Sequence, residues 1–126
     1  MPKQIPPVPR GAKPIGPYSV AAEAGGLVFI SGQVAIDPAS GQKVEGDATV
    51  QAKRILENLA IVLGDLGLGF DAVAKTTIFL TDIADFAAVN EVYRGYFGEA
   101  PPARSTVQVA ALPGGFRVEI EAIAAR

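Results

Sequence analysis

The residues best suited to chemistry in this chain are one arginine and two glutamates near its C-terminus. Arg104 lies in the segment Pro101-Pro102-Ala103-Arg104-Ser105-Thr106-Val107, and Glu119 and Glu121 lie in Arg117-Val118-Glu119-Ile120-Glu121-Ala122-Ile123. A planar guanidinium grips a carboxylate through two parallel hydrogen bonds. A nearby carboxylate orients or deprotonates water. The three side chains therefore predict a site that binds a small acid beside a water-activating group.

Both segments alternate like strands, so successive side chains point to opposite sides. Arg104 directly precedes the strand predicted over residues 105–110, and it shares one side with Thr106 of that strand. Glu119 and Glu121 share one side of the strand predicted over 116–124. We expect the two strands to pair as a hairpin through 112–115, with Arg104 and Thr106 as cross-strand neighbours of Glu119 or Glu121. The alternative is a solvated hairpin face with weak ion pairs, each contributing roughly 0–1 kcal/mol.

Composition limits which kinds of site are available. The chain has 126 residues, no Cys and no His, which predicts one domain over 1–126 without disulfides, thiolate catalysis or Cys-ligated zinc. The missing His removes the commonest metal ligand and the usual base near neutral pH. A net charge of −2 argues against a nucleic-acid partner. We expect no membrane association and no signal peptide, and so a cytoplasmic protein.

The order of elements predicts an α+β fold, β-β-α-β-α-β-β. Six of the ten prolines fall within residues 2–17, so residues 1–14 are expected to form an extended arm. Asp47 and Asp82 are predicted caps of two amphipathic helices. The second helix is predicted to bury a stripe of apolar side chains: Phe86, Val89, Tyr93, Tyr96 and Phe97.

The same order predicts that one face of the sheet lacks a helical cover. If the strands flanking each helix run parallel, right-handed crossovers place both helices on one face. The run from Leu27 to Ile30 is apolar on both sides, which a solvated face does not tolerate. We therefore expect a closed homo-oligomer that covers the bare face, and the polar sides with Arg104 and Glu119 to lie at its interface.

Three further segments have weaker signals for a site. Asn90 lies beside the apolar stripe of its helix, where it either positions a ligand or makes a helix–loop hydrogen bond. Ser31-Gly32 ends a strand, where glycine lets backbone N–H groups approach a ligand. Tyr18 either projects a phenol into a cleft or packs half-buried.

Taken together, the segments resemble the Rid (YjgF, reactive intermediate deaminase) family from about residue 12 to 126. The matching motifs occur in family order: Ile15-Gly16-Pro17-Tyr18-Ser19, Ser31-Gly32-Gln33, Lys75-Thr76-Thr77-Ile78-Phe79-Leu80, Asp85-Phe86-Ala87-Ala88-Val89-Asn90, Pro102-Ala103-Arg104-Ser105 and Val118-Glu119-Ile120-Glu121-Ala122-Ile123-Ala124.

The resemblance implies a fold, an activity and roles for residues. The fold would be chorismate-mutase-like, one sheet backed by two helices, with three subunits closing a barrel and clefts between neighbours. The activity would be cofactor-free hydrolysis of 2-imino acids, such as 2-iminopropanoate and 2-iminobutanoate, to 2-keto acids and ammonia. Arg104 would bind the substrate carboxylate, and Glu119 would orient water with help from the Thr106 backbone. The remaining cleft residues would be Tyr18, Ser31, Gly32 and Asn90.

Two departures from the family pattern bear on specificity. Many members have Cys where this chain has Thr106, and Ser-Gln-Ala where it has Ser19-Val20-Ala21. Neither change removes a step, because an iminium carbon is already electrophilic and needs only placed water and a proton shuttle. Two other functions stay open: a regulatory module that binds a small carboxylate without turnover, and a ribonuclease, a label the family also carries.

Overall fold

The computed structural model describes residues 2–126 as a mixed five-stranded sheet with two α-helices on one face. The α+β class and the predicted element order are confirmed. Short 3-10 turns precede β3, α2 and β5. The elements are β1 Ala21–Ala24, β2 Leu27–Gln33, α1 Ala48–Asp65, β3 Val73–Leu80, α2 Phe86–Phe97, β4 Ala103–Gln108 and β5 Val118–Ala125.

Local signals account for most of these boundaries. Gly25 and Gly26, with φ of 60° and 79°, form the tight turn between β1 and β2. The Asp47 carboxylate accepts a hydrogen bond of 3.0 Å from the Val50 N–H and caps α1. Asp82 was expected to cap α2, but it caps the preceding 3-10 turn through the Ala84 N–H. Helix α2 begins at Phe86 without a side-chain cap.

The strand order β1-β2-β5-β3-β4 overturns the predicted hairpin of the last two strands. Strand β5 lies between β2 and β3 and is antiparallel to both, whereas β4 pairs with β3 in parallel at the sheet edge. The apolar side of β5 is fully buried only when the strand lies in the centre of the sheet. The free energy gained by this burial outweighs the advantage of pairing β5 with β4, its neighbour in sequence. Arg104 therefore pairs with Thr76, and Glu119 pairs with Phe79 on the other side of β3.

The two faces of the sheet differ as expected. On the helix side of the sheet, the side chains of β5 are buried along the whole strand. The opposite side of the sheet exposes large apolar side chains of other strands to solvent. Leu27, Phe29 and Val107 are each about two-fifths exposed: 39%, 43% and 42%. The predicted bare, partly apolar face is present. No helix within residues 2–126 has the length and apolarity to cross a membrane.

The N-terminal arm runs without helix from residue 2 and is fastened at two points; Met1 lies outside the described residues. Gln4 forms an antiparallel bridge with Glu23 on β1. Further along, Arg10 donates both its backbone N–H and its Nε–H to Asp65 at the end of α1, at 2.8 and 2.6 Å. These contacts fix the chain that leads into Tyr18.

Candidate functional site

Arg104 is held against aromatic rings on the helix side of the sheet. Its guanidinium carbon lies 4.9 Å from the Tyr93 ring centroid and 5.6 Å from that of Phe86, both on α2. The expectation that Arg104 and Thr106 face the open side was wrong. Because β4 is an edge strand beside the short helix α2, a cation can turn toward the helix and interact with ring faces.

The Arg104 guanidinium has no carboxylate within 4.0 Å among residues 2–126. The ion pairs found there use Arg10, Arg54, Arg117 and Arg126 instead. Ring faces attract the cation, but they accept no hydrogen bonds from the N–H groups that point outward in the plane of the guanidinium. The donor fork of Arg104 is therefore available for a ligand.

A cavity of about 300 Å³ opens beside Arg104. Asn90 also lines it, and no side-chain hydrogen bond among residues 2–126 supports the expected helix–loop contact of that amide. On β4, the Thr106 Oγ1 atom is buried without a hydrogen-bond partner in the described chain. Thr106 and Arg104 are two residues apart and share one side of the strand. We call Asn90, Arg104 and Thr106 the arginine half-site.

A second cavity, of about 370 Å³, is lined by Tyr18, Ser31, Gly32 and Glu119, and also by Glu121. The Ser31 hydroxyl donates to the Ser19 carbonyl at 2.7 Å, which fixes the segment that carries Tyr18 beside β2. The Tyr18 side chain is half exposed. We call Tyr18, Ser31, Gly32 and Glu119 the glutamate half-site.

Glu119 is the better acid–base candidate of the two glutamates in this cavity. It is partly buried, whereas Glu121 is exposed. Burial, and secondarily the negative charge of Glu121, raises the pKa of Glu119 above its ordinary value. A carboxyl whose pKa is raised toward neutrality exchanges protons more effectively at cellular pH.

Gly32 is required for the position of Glu119. A Cβ atom at residue 32 would lie 2.7 Å from Cδ and 2.9 Å from Cγ of Glu119, closer than packed carbons approach. The missing side chain therefore makes room for the carboxylate against β2. The strand pattern marked Gly32 as a strand-end glycine, and the family resemblance placed it in the cleft. Its close approach to Glu119 was not predicted, because that approach depends on the strand order.

Gly32→Ala is expected to displace the Glu119 side chain toward solvent. Less burial stabilises the charged form, so the pKa of Glu119 should fall toward its ordinary value. A carbon-detected NMR pH titration of the carboxyl group measures this change. Gly95→Ala is the matched control, because a Cβ there meets no atom within 4 Å. An unchanged Glu119 pKa in Gly32→Ala would contradict this account of Gly32.

One protomer does not bring the two half-sites together. Arg104 and Thr106 lie on the helix side of β4, Glu119 lies on the open side of β5, and β3 separates the two strands. The contacts of Phe86 and Tyr93 with Arg104 were not predicted from the sequence, because the spacing of these two rings also fits a buried helix stripe. No group of three or more Asp or Glu side chains among residues 2–126 could hold a metal ion.

The fold and its two half-sites define a small α+β protein that presents a guanidinium on one sheet face and an acid on the other. The chain belongs to the endoribonuclease L-PSP family, also known as the Rid or YjgF family, whose model matches residues 10–126. This confirms the resemblance found in the sequence motifs.

Named relatives are similar over most of their length. Protein DfrA of Myxococcus xanthus is 58% identical over 117 residues, covering 91% of this chain and 89% of DfrA. The mouse 2-iminobutanoate/2-iminopropanoate deaminase is 53% identical over 110 residues, covering 87% of this chain and 82% of the mouse protein. The crystal structure of E. coli TdcF with bound serine has a TM-score of 0.90 and 41% identity, and the match covers 98% of each chain.

Proposed function

We propose that this protein hydrolyses 2-imino acids of the 2-iminopropanoate and 2-iminobutanoate type to 2-keto acids and ammonia, without a cofactor. The observation that carries the proposal is the Arg104 fork, which is oriented by rings and has no carboxylate of the described chain within 4.0 Å. The glutamate half-site supplies the water-activating group. Relatives about 50% identical that are named as deaminases of these imino acids support the same reaction.

The two half-sites meet, in this proposal, between subunits of a homotrimer. The open face has apolar side chains such as Phe29 and Val107 that an assembly would bury. Strand β4 lies at the sheet edge, so a neighbouring subunit can approach the helix side that carries Arg104. The arginine half-site of one subunit then faces the glutamate half-site of the next.

The reaction needs placement and one proton shuttle. Arg104 holds the substrate carboxylate through two hydrogen bonds. Glu119 takes a proton from water as the water oxygen bonds to the electrophilic C2 carbon of the iminium group. Glu119 then returns the proton to nitrogen. As the carbon–nitrogen bond breaks, Glu119 accepts the proton of the new hydroxyl group and passes it to solvent, and ammonia leaves a 2-keto acid. Since the site brings water and imine together, much of the barrier reduction comes from orientation.

The other predicted site residues have supporting roles in this proposal. The Thr106 backbone helps to place the attacking water. Asn90 stands beside Arg104 in the first cavity, and Tyr18, Ser31 and Gly32 line the side of the cleft that carries Glu119. The substrate's small side chain would contact these walls.

A second candidate function is binding of a small carboxylate without turnover, as a regulatory module. The serine bound in the TdcF crystal structure favours it, because serine has the same carboxylate group as a 2-imino acid. Both functions predict that 2-keto acids raise the melting temperature of the protein. Only the enzyme hypothesis predicts that imine disappears faster.

The test couples a pyridoxal-phosphate threonine dehydratase to this protein and traps remaining 2-iminobutanoate with semicarbazide. The enzyme hypothesis predicts that added protein diverts imine to 2-ketobutyrate and lowers the yield of semicarbazone. Bovine serum albumin at the same concentration controls for nonspecific effects. Stabilisation by 2-ketobutyrate together with an unchanged semicarbazone yield would favour the binding module and overturn the deaminase proposal.

Mixed trimers test whether each site is shared between subunits. Arg104→Ala and Glu119→Gln chains, coexpressed with different affinity tags and purified through both tags, form trimers that contain both variants. If Arg104 and Glu119 come from adjacent subunits, one cleft in each such trimer has both residues intact. Activity should then recover to about one third of wild type. Mixed trimers as inactive as either variant alone would place the whole site within one subunit.

A further inference from the structure

The Arg104 guanidinium is oriented by two aromatic rings that have no role in the chemistry described above. The Tyr93 ring is the nearer, at 4.9 Å, and the half-exposed Phe86 ring lies at 5.6 Å. An arginine side chain has several rotatable bonds and loses considerable entropy when it is held in one geometry. Rings that hold it before the ligand arrives reduce the cost of binding.

Tyr93 is itself held in place by contacts on its other sides. Its hydroxyl lies 2.6 Å from the Thr76 Oγ1 atom, and Thr76 is completely buried on β3. The Tyr93 ring also packs on Phe97, with centroids 4.5 Å apart, and Phe97 meets Phe70 edge-on at 5.1 Å. Burial raises the pKa of Tyr93, so the phenol stays neutral at cellular pH.

The sheet register links these contacts to the site. Thr76 is the direct neighbour of Arg104 across the parallel β3–β4 pair, and both point toward α2. The hydroxyl that anchors Tyr93 therefore belongs to the residue beside the one whose guanidinium Tyr93 supports. Thr76, Tyr93 and Arg104 form a closed set of contacts between β3, α2 and β4.

We propose that Tyr93, anchored by Thr76, and Phe86 are positioning residues that orient the Arg104 fork toward the substrate carboxylate. The proposal rests on the function proposed above, in which Arg104 binds that carboxylate. Neither ring touches the reacting atoms. Both act through Arg104, and they determine how strongly a 2-imino or 2-keto acid binds.

The test measures the Kd of 2-ketobutyrate by calorimetry and the KM and kcat for 2-iminobutanoate. Tyr93→Leu should raise Kd and KM about ten-fold, as expected for loss of one cation–ring contact. The acidic limb of the kcat profile should stay in place, because Glu119 lies in the other half-site. Tyr93→Phe keeps the ring and should lose less than Tyr93→Leu.

Two further variants separate positioning from general stability. Phe70→Leu removes a ring of the same cluster that packs on Tyr96 and Phe97 and takes no part in the cation–ring contacts of Arg104. It should leave Kd within about two-fold of wild type. Phe86→Leu removes the half-exposed ring, so it should fold even if Tyr93→Leu does not, and it should raise Kd about three-fold or more.

The outcomes distinguish this inference from the proposed function. Wild-type protein that binds 2-ketobutyrate and hydrolyses imine, while Phe86→Leu and Tyr93→Leu bind as wild type does, overturns the positioning role alone. Equal losses in Phe70→Leu and Tyr93→Leu also overturn it, since the effect would then be one of packing. In an Arg104→Ala background, Tyr93→Leu should cost no further kcat/KM. An additional ten-fold loss there would contradict action through Arg104.

Discussion

Arg104→Ala is expected to lower kcat/KM for 2-iminobutanoate about a thousand-fold, because it removes a bidentate, charge-assisted contact and the orientation that the contact provides. Arg104 has no carboxylate within 4.0 Å in the described chain, so its loss leaves no buried acid of that chain unpaired. The variant should therefore fold with nearly wild-type stability. Steady-state kinetics with the semicarbazide assay, together with thermal unfolding, measure both quantities.

Two variants sharpen this result. Arg104→Lys keeps the charge but loses the planar fork, so it should recover only a small part of the lost kcat/KM. Arg54→Ala, which removes an arginine that contacts Asn58 and Glu57 on α1, should keep nearly full activity. Wild-type kcat/KM in Arg104→Ala would refute carboxylate binding by this residue.

Glu119→Gln is expected to lower kcat about a hundred- to ten-thousand-fold, the range in which acid–base groups contribute. The amide has nearly the same shape as the carboxylate but cannot accept the proton from water. Binding of 2-ketobutyrate through Arg104 should persist. Steady-state kinetics should show the loss of kcat, and calorimetry should show that 2-ketobutyrate still binds with nearly the wild-type Kd.

The pH profile supplies an independent check of the same residue. As the base, Glu119 must be ionised, so kcat/KM falls as pH drops through its pKa. Burial and Glu121 raise that pKa, and the acidic limb should lie above the ordinary range of a glutamate. Glu121→Gln removes one raising charge, so the limb should move to lower pH with activity retained. An acidic limb that moves to higher pH in Glu121→Gln would exclude Glu119 as the base, and so would full activity in Glu119→Gln.

The sequence was most informative where structure depends on near neighbours, although it misplaced the Asp82 cap by one element. The Gly25-Gly26 turn, the Asp47 cap and the alternation of β5 each follow from a few adjacent residues, and all are present. Family motifs predicted the residues grouped in the two half-sites, whereas the meeting of the half-sites between subunits is a proposal that no pattern in one chain predicts.

The errors that affect the site concern contacts between distant segments. Pairing β4 with β5 was the simplest local choice, but the insertion of β5 between β2 and β3 buries more apolar surface. The side of β4 that faces the helix was also misassigned. Since Arg104 was expected on the open side, the alternation of β4 implied that Val107 faces the helices. Val107 is instead 42% exposed, because the aromatic side chains of α2 contact the guanidinium of Arg104 on the helix side.

The edge position of β4 has a consequence for handling this protein. Its outer backbone N–H and C=O groups have no strand beside them in the protomer, and the adjacent Val107 is exposed. An exposed edge strand of this kind can pair with a strand of another chain and so lead to aggregation. Variants that weaken the proposed trimer, for example a charge at Phe29, should therefore precipitate on concentration instead of remaining in clear solution as single chains.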